Sequence, residues 1–258
     1  MSAVSLWSVL GPLSVVLGAA VLVVLERLWP YVPGQPFFRR GFLTDLVGYT
    51  FVQSYLLGLL IGWLITRMDR LSHLSRLHLV SRWPVGAQLL FFLVTHDLYI
   101  YLFHRWQHRS PVLWRLHEAH HATAEVDWLS GSRSHALEIL VNQTIELAPL
   151  VLLGAAPELP LIKVAVDALW GMYIHANIDV RSGRLQRVLN GPEMHRWHHA
   201  LEITTGVNFG TKLAMWDWLF GTAHLPPTKP RAYGLSYPFP RSYLAQQLQI
   251  LRRPDRRS

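Results

Sequence analysis

The chain has 258 residues, of which 51% are hydrophobic and only 16% charged, a balance typical of a membrane protein rather than a soluble enzyme. Cysteine is absent, which excludes disulfides, thiolate-ligated zinc or haem, and cysteine-bound iron–sulfur clusters. The formal net charge is +8, mostly from arginines beside apolar segments, as expected of loops that meet lipid headgroups. The sequence contains no nucleic-acid-binding motif, so nucleic acid is not an expected partner.

Three apolar segments are long enough to cross a bilayer. Residues 6–25 and 46–66 contain no charged side chain. No basic residue precedes the first segment and no small-residue cleavage site follows it, so we interpret it as a span rather than a signal peptide. Residues 67–82 carry arginines among leucines and predict an amphipathic segment on the membrane surface. The third apolar segment, 83–103, is interrupted only by His96 and Asp97, which should face the protein interior.

The second half of the chain predicts shorter and more polar elements. Residues 139–174 indicate a helical hairpin that lies partly in the membrane and is broken by Pro157 and Pro160. Residues 180–258 are polar and aromatic and contain no predicted span. The sequence therefore predicts an all-α fold: an integral-membrane helical bundle, multi-pass, with a histidine-rich helical cap.

We expect a single membrane domain over residues 1–258. It comprises N-terminal transmembrane and interfacial helices at 1–82, a histidine-rich catalytic region at 83–225 and a basic C-terminal tail at 226–258. The arginines of loop 26–42 favour a cytoplasmic position for that loop, which would make the histidine-rich cap cytoplasmic as well. The arginines of 67–82 favour the opposite orientation unless that segment lies on the surface.

Most of the histidines fall in three motifs. The motifs are His104-Arg-Trp-Gln-His108, His117-Glu-Ala-His120-His121 and His195-Arg-Trp-His198-His199. On a helix, positions i, i+3 and i+4 share one face, with Cβ atoms about 5–6 Å apart. Burying eight imidazoles without ligation would leave many ring nitrogens unsatisfied, so the motifs predict metal binding. Eight ligands exceed the four that one tetrahedral zinc takes, which favours a dinuclear site, but iron, zinc, copper and nickel all suit imidazole.

The motifs resemble the three histidine boxes of the fatty-acid hydroxylase superfamily, which includes sterol desaturases, sterol C4-methyl oxidases, carotenoid hydroxylases and alkylglycerol monooxygenase. Flanking stretches are similar too: His96-Asp97-Leu-Tyr-Ile-Tyr101, Ser134-His135-Ala-Leu-Glu138, Tyr173-Ile-His175-Ala-Asn177, Asn208-Phe-Gly210 and Trp216-Asp217-Trp-Leu-Phe-Gly221-Thr222. One departure is the alanine after His135, where the superfamily often has proline. The resemblance covers roughly residues 90–225 and is specific, because motifs, order and spacing all agree.

The resemblance implies two iron ions, with zinc as a possible substitute, held by nine histidines. The implied ligands are His104, His108, His117, His120, His121, His175, His195, His198 and His199. Candidates for a further ligand, or for a side chain that orients a ligand, are His96, Asp97, Glu118, His135, Glu138 and Asn208. Asp97 is better placed than His96 to orient His104, because seven residues bring it nearly into line on a helix. His73, His78 and His224 fall outside every motif and are expected at the surface.

The resemblance also implies the function: a membrane-bound oxygenase that hydroxylates or desaturates a fatty acyl, sterol or related lipid with O2. The chain shows no flavin, haem or nicotinamide motif, so the electrons should come from an external donor of ferredoxin or cytochrome type with its reductase. Two alternatives remain open: a membrane zinc-dependent hydrolase and a non-catalytic metal- or lipid-binding membrane protein. Against the hydrolase, the stretch His117-Glu118-Ala-His120-His121 differs from a plain HExxH motif by an additional histidine, His120, one residue before the last. No catalytic residue is predicted beyond the metal ligands.

Overall fold

The computed structural model describes residues 2–203 and 206–251. Its α-helices are α1 (Ala3–Leu28), α2 (Ser54–Ser72), α3 (Val85–Arg109), α4 (Pro111–His121), α5 (Ala136–Leu152), α6 (Leu159–His175), α7 (Pro192–His198), α8 (Met215–Leu219) and α9 (Tyr243–Gln247). A π-helical stretch, Thr44–Gln53, leads directly into α2, and 3₁₀ turns lie at Leu74–Leu77, Ser130–Ser132, Gly183–Arg187 and Leu248–Leu251. The described residues form no strand, so the all-α prediction is confirmed.

Three helices are long and apolar enough to cross a membrane: Ala3–Leu28, Thr44–Ser72 and Val85–Arg109. They overlap the three predicted spans: the first two helices extend beyond the predictions at both ends, and the third, Val85–Arg109, begins two residues later and ends six residues later than predicted. Large apolar side chains such as Val16, Leu59 and Leu90 are more than half exposed on these helices, which suits contact with lipid rather than water. The arginines at positions 67 and 70 belong to the last turns of α2, not to the separate surface segment that the sequence predicted.

The first two candidate spans pack against the hairpin of α5 and α6. Helix α1 approaches α6 closely at Gly18, where a Cβ atom would stand 2.1 Å from Leu169 Cδ2. Helix α2 packs on α5 through Ile61, Ile65 and Ala148. Helix α3 contacts α4, α5 and α6.

The predicted hairpin of α5 and α6 is confirmed. Helix α5 ends at Leu152, and α6 begins at Leu159 with Pro160 in its first turn, where a missing backbone N–H costs nothing. The chain therefore runs toward the histidine motifs in α3 and α6 and away from them in α5. The histidine end of the bundle is therefore formed by the C-terminal ends of α3 and α6 and the N-terminal end of α5.

A buried ionic network ties the first loop to the cap. Arg39 forms two hydrogen bonds to Asp127, at 2.7 and 2.8 Å, and an ion pair with Asp45 at 2.7 Å. Arg133 donates to the other oxygen of Asp45 at 3.0 Å. Arg39 is only 3% exposed, so the interpretation of its charge as loop charge facing lipid headgroups was wrong.

The C-terminal region is packed rather than a free tail as far as the structure describes it. Tyr49 on the π-helical stretch donates to Gln246 Oε1 at 2.6 Å, and Tyr243 donates to Gln53 at 2.8 Å. Helix α9 thereby covers the π-helical stretch. The arginines of the predicted basic tail at 252, 253, 256 and 257 lie outside the described residues.

Candidate metal centre

Nine histidines come together in two adjacent groups, and within each group one ring nitrogen of every histidine lies within 4.8 Å of the corresponding nitrogens of the others. The first histidine group is His104, His108, His117, His121 and His198, and the second histidine group is His120, His175, His195 and His199. Helix α3 supplies the first motif, α4 the second, α6 the single His175 and α7 the third. The i, i+3, i+4 spacing explains the division, because α4 and α7 each present imidazoles to both groups.

Five of these imidazoles are held through Nδ1 by an acceptor outside the groups. His104 bonds the carbonyl of Phe209 at 2.9 Å and His117 bonds Glu138 Oε1 at 3.0 Å. The carbonyl partners of the other three are Arg133 for His120 (3.0 Å), Gly171 for His175 (2.7 Å) and Val207 for His198 (2.8 Å). Because carbonyls and carboxylates only accept, each Nδ1 carries the proton and each Nε2 presents a lone pair.

These lone pairs converge. His104 Nε2 lies 2.9 Å from His117 Nε2, and His175 Nε2 lies 3.2 Å from His120 Nε2. Two acceptors at that distance repel each other unless a cation lies between them. Imidazole nitrogens bound at right angles about 2.1 Å from one divalent ion lie about 3 Å apart, so the spacing fits metal ligation.

The remaining ring nitrogens lead to the same conclusion. The Nε2 atoms of His121 and His198 are buried and have no hydrogen-bond partner among the residues that the structure describes. Buried polar atoms without partners are rare in proteins and point to a missing ligand. The donor set is rich in nitrogen and contains no sulfur, as iron and zinc sites allow.

Burial keeps these imidazoles neutral. The pKa values of His117, His120 and His121 lie well below the usual imidazole range, first because of burial and then because of the neighbouring imidazoles. Neutral imidazole is the form that binds metal. Burial raises the pKa of Glu138 to about 8, and a cation at the adjacent imidazoles would lower it again.

Asn208 holds the loop that supplies two of the accepting carbonyls. Its side-chain amide donates to the carbonyls of Met194 (2.8 Å) and His224 (2.7 Å), and its φ of +52° is a left-handed value that asparagine tolerates. The neighbouring carbonyls of Val207 and Phe209 accept from imidazoles of the first histidine group. Asn208 contacts no imidazole through its side-chain bonds and acts on the site through this loop.

Asp97 does not bond His104, the histidine that it was expected to orient. Its carboxylate accepts four hydrogen bonds from the segment after the loop, two of them from the backbone N–H groups of Lys212 (2.9 Å) and Leu213 (3.0 Å). The Nδ1 of His104, which Asp97 was expected to orient, bonds a carbonyl instead. Seven residues of helix bring the two side chains into line but leave them about 10 Å apart along the axis, too far for a direct bond.

The remaining candidates for a further ligand, His135, His96 and Glu118, all lie outside the two histidine groups. His135 is outside both histidine groups: its Nδ1 accepts from Leu137 N as the cap of α5, and its Nε2 bonds the Gln247 carbonyl. His96 lies with Glu146 and Asp167 in a separate cluster. Glu118 is buried within α4.

The histidines outside the motifs are partly as predicted. His73 and His78 are exposed, as expected, whereas His224 is half-buried against Trp197.

Three arginines close to the ligand histidines in the sequence, Arg105, Arg133 and Arg196, bind partners other than the imidazoles. Arg196, which is fully buried, donates to the carbonyls of His175 and Val126 and lies 4.8 Å from the ring centroids of Tyr31 and Tyr233. Arg133 pairs with Asp45, and Arg105 donates to the Tyr101 hydroxyl at 3.2 Å.

Sequence reasoning missed the role of Asp217. Its two oxygens accept the backbone N–H groups of Phe209 and Gly210, both at 2.8 Å, and the Thr222 hydroxyl donates to it at 2.7 Å. Asp217 therefore fixes the same loop as Asn208. The similar Trp216–Thr222 stretch was the available signal, but spacing alone could not show which backbone this carboxylate holds.

Comparison with known proteins gives a family match and several relatives. A family described as fatty acid hydroxylase matches residues 89–222. Ornithine lipid hydroxylase OlsE of Rhizobium tropici is 34% identical over 179 residues, which are 69% of this chain and 54% of that protein. Human alkylglycerol monooxygenase is 29% identical over 143 residues (55% and 32%), and methylsterol monooxygenase 2-2 of Arabidopsis thaliana is 26% identical over 145 residues (54% and 53%).

The matched region spans about half or less of the length of these relatives. No solved structure gives a significant match.

Proposed function

The chain belongs to the fatty acid hydroxylase family, and from this premise we propose that it is a membrane-bound di-iron oxygenase that hydroxylates or desaturates a lipid with O2 and external electrons. The observation that carries the proposal is the convergence of Nε2 lone pairs in two adjacent, buried histidine groups. The named relatives are a lipid hydroxylase and monooxygenases, which supports oxygen chemistry on a lipid.

The residues of each group have distinct roles in this proposal. The first histidine group offers five imidazoles to one ion and the second offers four to the other. Iron held there would supply O2 activation and hydrogen abstraction from a lipid C–H bond. The Nδ1 partners fix the tautomer and orientation of the rings, and burial of the groups excludes bulk water from the reacting centre.

The membrane setting supports a lipid substrate. The three candidate spans carry exposed apolar side chains, and the histidine groups lie at the end of α3, at the edge of the apolar layer. We propose that this end faces the cytoplasm, where an electron donor of ferredoxin or cytochrome type with its reductase would dock. Arginines of the cap, including Arg40, Arg109 and Arg184, are exposed there and suit an acidic donor.

Metal analysis of detergent-purified protein tests the proposal. We expect about two irons per chain in the wild type and about one in His120→Ala, because the substitution removes a ligand from the second histidine group only. His73→Ala is the matched control, since this exposed histidine lies outside both groups. Iron-loaded protein should then consume O2 when given lipid and a reductant.

Other outcomes would favour the alternatives. Zinc alone, together with ester hydrolysis that proceeds without O2, would support the hydrolase. Metal-free protein that folds and binds lipid as well as the loaded protein would support a non-catalytic lipid-binding role. Absence of metal from freshly prepared, folded protein would overturn the di-iron proposal.

A further inference from the structure

A second polar layer lies deeper in the bundle than the histidine groups. Three helices each carry two polar residues spaced by eight positions, one at each depth. The pairs are His104 and His96 on α3, Glu138 and Glu146 on α5, and His175 and Asp167 on α6. Eight residues of helix advance about 12 Å. We call the deeper set, His96, Glu146, Lys163, Asp167 and Lys212, the ionic layer.

The charges of the ionic layer are balanced and mutually bonded. The Lys163 ammonium, fully buried, donates to Glu146, to Asp167 Oδ2 at 2.6 Å and to His96 Nδ1 at 3.2 Å. Lys212 Nζ lies 2.9 Å from Asp167 Oδ1. Two ammonium groups thus face two carboxylates. His96, Glu146 and Asp167 could together ligate a metal ion, but all three accept hydrogen bonds from the Lys163 ammonium. The ammonium thus takes the place that a third metal ion would need.

A cavity connects the ionic layer to the histidine groups. Its volume is about 220 Å³, and its lining includes His104 and His175 from the histidine groups and His96 and Lys212 from the ionic layer. Between the two depths, its walls include the apolar side chains of Ile100, Phe103, Trp170 and Ile174. A molecule in this cavity would therefore meet apolar side chains and, between the two depths, the amides of Asn142 and Gln143, with a polar group at each end.

His96, which lines this cavity, has a hydrogen-bond donor without a partner among the described residues. Because an ammonium can only donate, the bond from Lys163 makes His96 Nδ1 an acceptor and places the proton of the neutral ring on Nε2. Nε2 is buried and has no hydrogen-bond partner among the described residues, and the side chain is 9% exposed. Burying an N–H group without an acceptor destabilises the folded protein. An acceptor atom on a bound ligand would remove this penalty by accepting the hydrogen bond.

We propose that the ionic layer, through His96 Nε2, binds an uncharged acceptor oxygen of the lipid substrate, such as an ester or amide carbonyl. The inference rests on the proposed function and narrows its substrate class. An anionic head is disfavoured because the two cations are already paired and Asp97 lies 4.0 Å from Lys212.

The separation of the two layers also places the oxidised carbon. An extended chain covers about 3.5 Å in three bonds, so 12 Å corresponds to roughly ten bonds. The substrate should then be a lipid with a carbonyl within roughly ten bonds of the oxidised carbon. Plain hydrocarbons and free fatty acids should be poorer ligands.

Native mass spectrometry of the purified protein, incubated with iron in detergent, tests this inference with three probes: methyl laurate, laurate and tetradecane. Wild-type protein should bind the ester about tenfold more tightly than the alkane, the effect of one buried hydrogen bond, and more tightly than the carboxylate. His96→Phe should bring the ester and alkane affinities together and leave the alkane affinity unchanged. His96→Gln, which keeps a donor and an acceptor, should restore part of the ester preference.

Thr95→Val is the matched control, because Thr95 is exposed on the same turn of α3 and bonds only its own helix. It should keep the full ester preference, and circular dichroism should show that all variants are folded. Equal binding of ester and alkane by wild type, or tightest binding of laurate, would overturn the inference. The same spectra report iron: protein that keeps the ester preference but holds no iron would refute the proposed function and leave this inference standing.

Discussion

At the residue scale, the site depends on groups that hold the imidazoles as well as on the imidazoles themselves. A ring that bonds through Nδ1 has a fixed tautomer and a fixed direction for Nε2. In this chain, four of the five Nδ1 partners are backbone carbonyls and the fifth is Glu138. Side-chain substitution can remove only that carboxylate, which makes it the direct test of the arrangement.

Glu138→Leu should weaken iron binding by about 10- to 100-fold, because His117 loses the acceptor that orients it. Iron affinity can be measured by competition with a chelator. Glu202→Gln, an exposed carboxylate of the cap, is the control and should bind iron like wild type. Unchanged affinity in Glu138→Leu would show that the bond from His117 does not support the site.

Gly131→Ala should disturb the second histidine group. A Cβ atom at Gly131 would stand 2.7 Å from His175 Nδ1 and 3.0 Å from the Gly171 carbonyl, so the hydrogen bond between those two atoms must break or shift. We expect a destabilisation of about 1–3 kcal/mol, measured by thermal unfolding, together with a lower metal content. Gly58→Ala, where the new Cβ meets nothing within 4 Å, should show neither effect.

At the element scale, the segment from residue 206 to 217 acts as a clamp between α3 and α7. Val207 and Phe209 accept from one imidazole of each helix, while Asn208 and Asp217 fix the backbone that carries those carbonyls. Tyr101 packs against Phe209 and Trp216 in a small buried cluster. Both imidazoles belong to the first histidine group, so damage to this segment should affect that group before the other.

Asp217→Ala should therefore lower the metal content from about two ions per chain toward about one, because only the first histidine group loses its support. Elemental analysis of purified protein gives the stoichiometry. Asp179→Ala, which removes a half-exposed ion pair with Lys229, should keep the wild-type content. Equal loss from both groups would contradict a local role for Asp217.

At the scale of the whole molecule, the helix directions place all histidine motifs at one end of the bundle. The connection between α2 and α3 and the turn between α5 and α6 lie at the other end, where Val80 N donates to the Leu153 carbonyl. Apolar side chains cover the outer faces of the spans between the two ends. The two histidine groups thus lie in the cap, while the ionic layer lies deeper in the bundle.

The absence of native cysteine makes the orientation testable by single substitutions. Thr228→Cys, exposed at the histidine end, should react with a membrane-impermeant thiol reagent only after the cytoplasmic side is opened. Ser81→Cys, exposed at the opposite end, should react in intact cells. The reverse pattern would place the histidine groups on the outer side and contradict the cytoplasmic proposal.

Local composition and helical spacing are enough to predict the candidate spans, the hairpin break at Pro157 and Pro160, and the clustering of histidines. What lies against each imidazole ring depends instead on how the helices and loops pack. The carbonyl of Phe209 takes the place expected for Asp97, and Arg39 is buried between two carboxylates. These hydrogen bonds join groups that are far apart in the sequence. They depend on how the helices pack, which no short sequence pattern specifies. The ionic layer likewise depends on packing, because its residues come from three helices and one loop that lie side by side only in the folded protein.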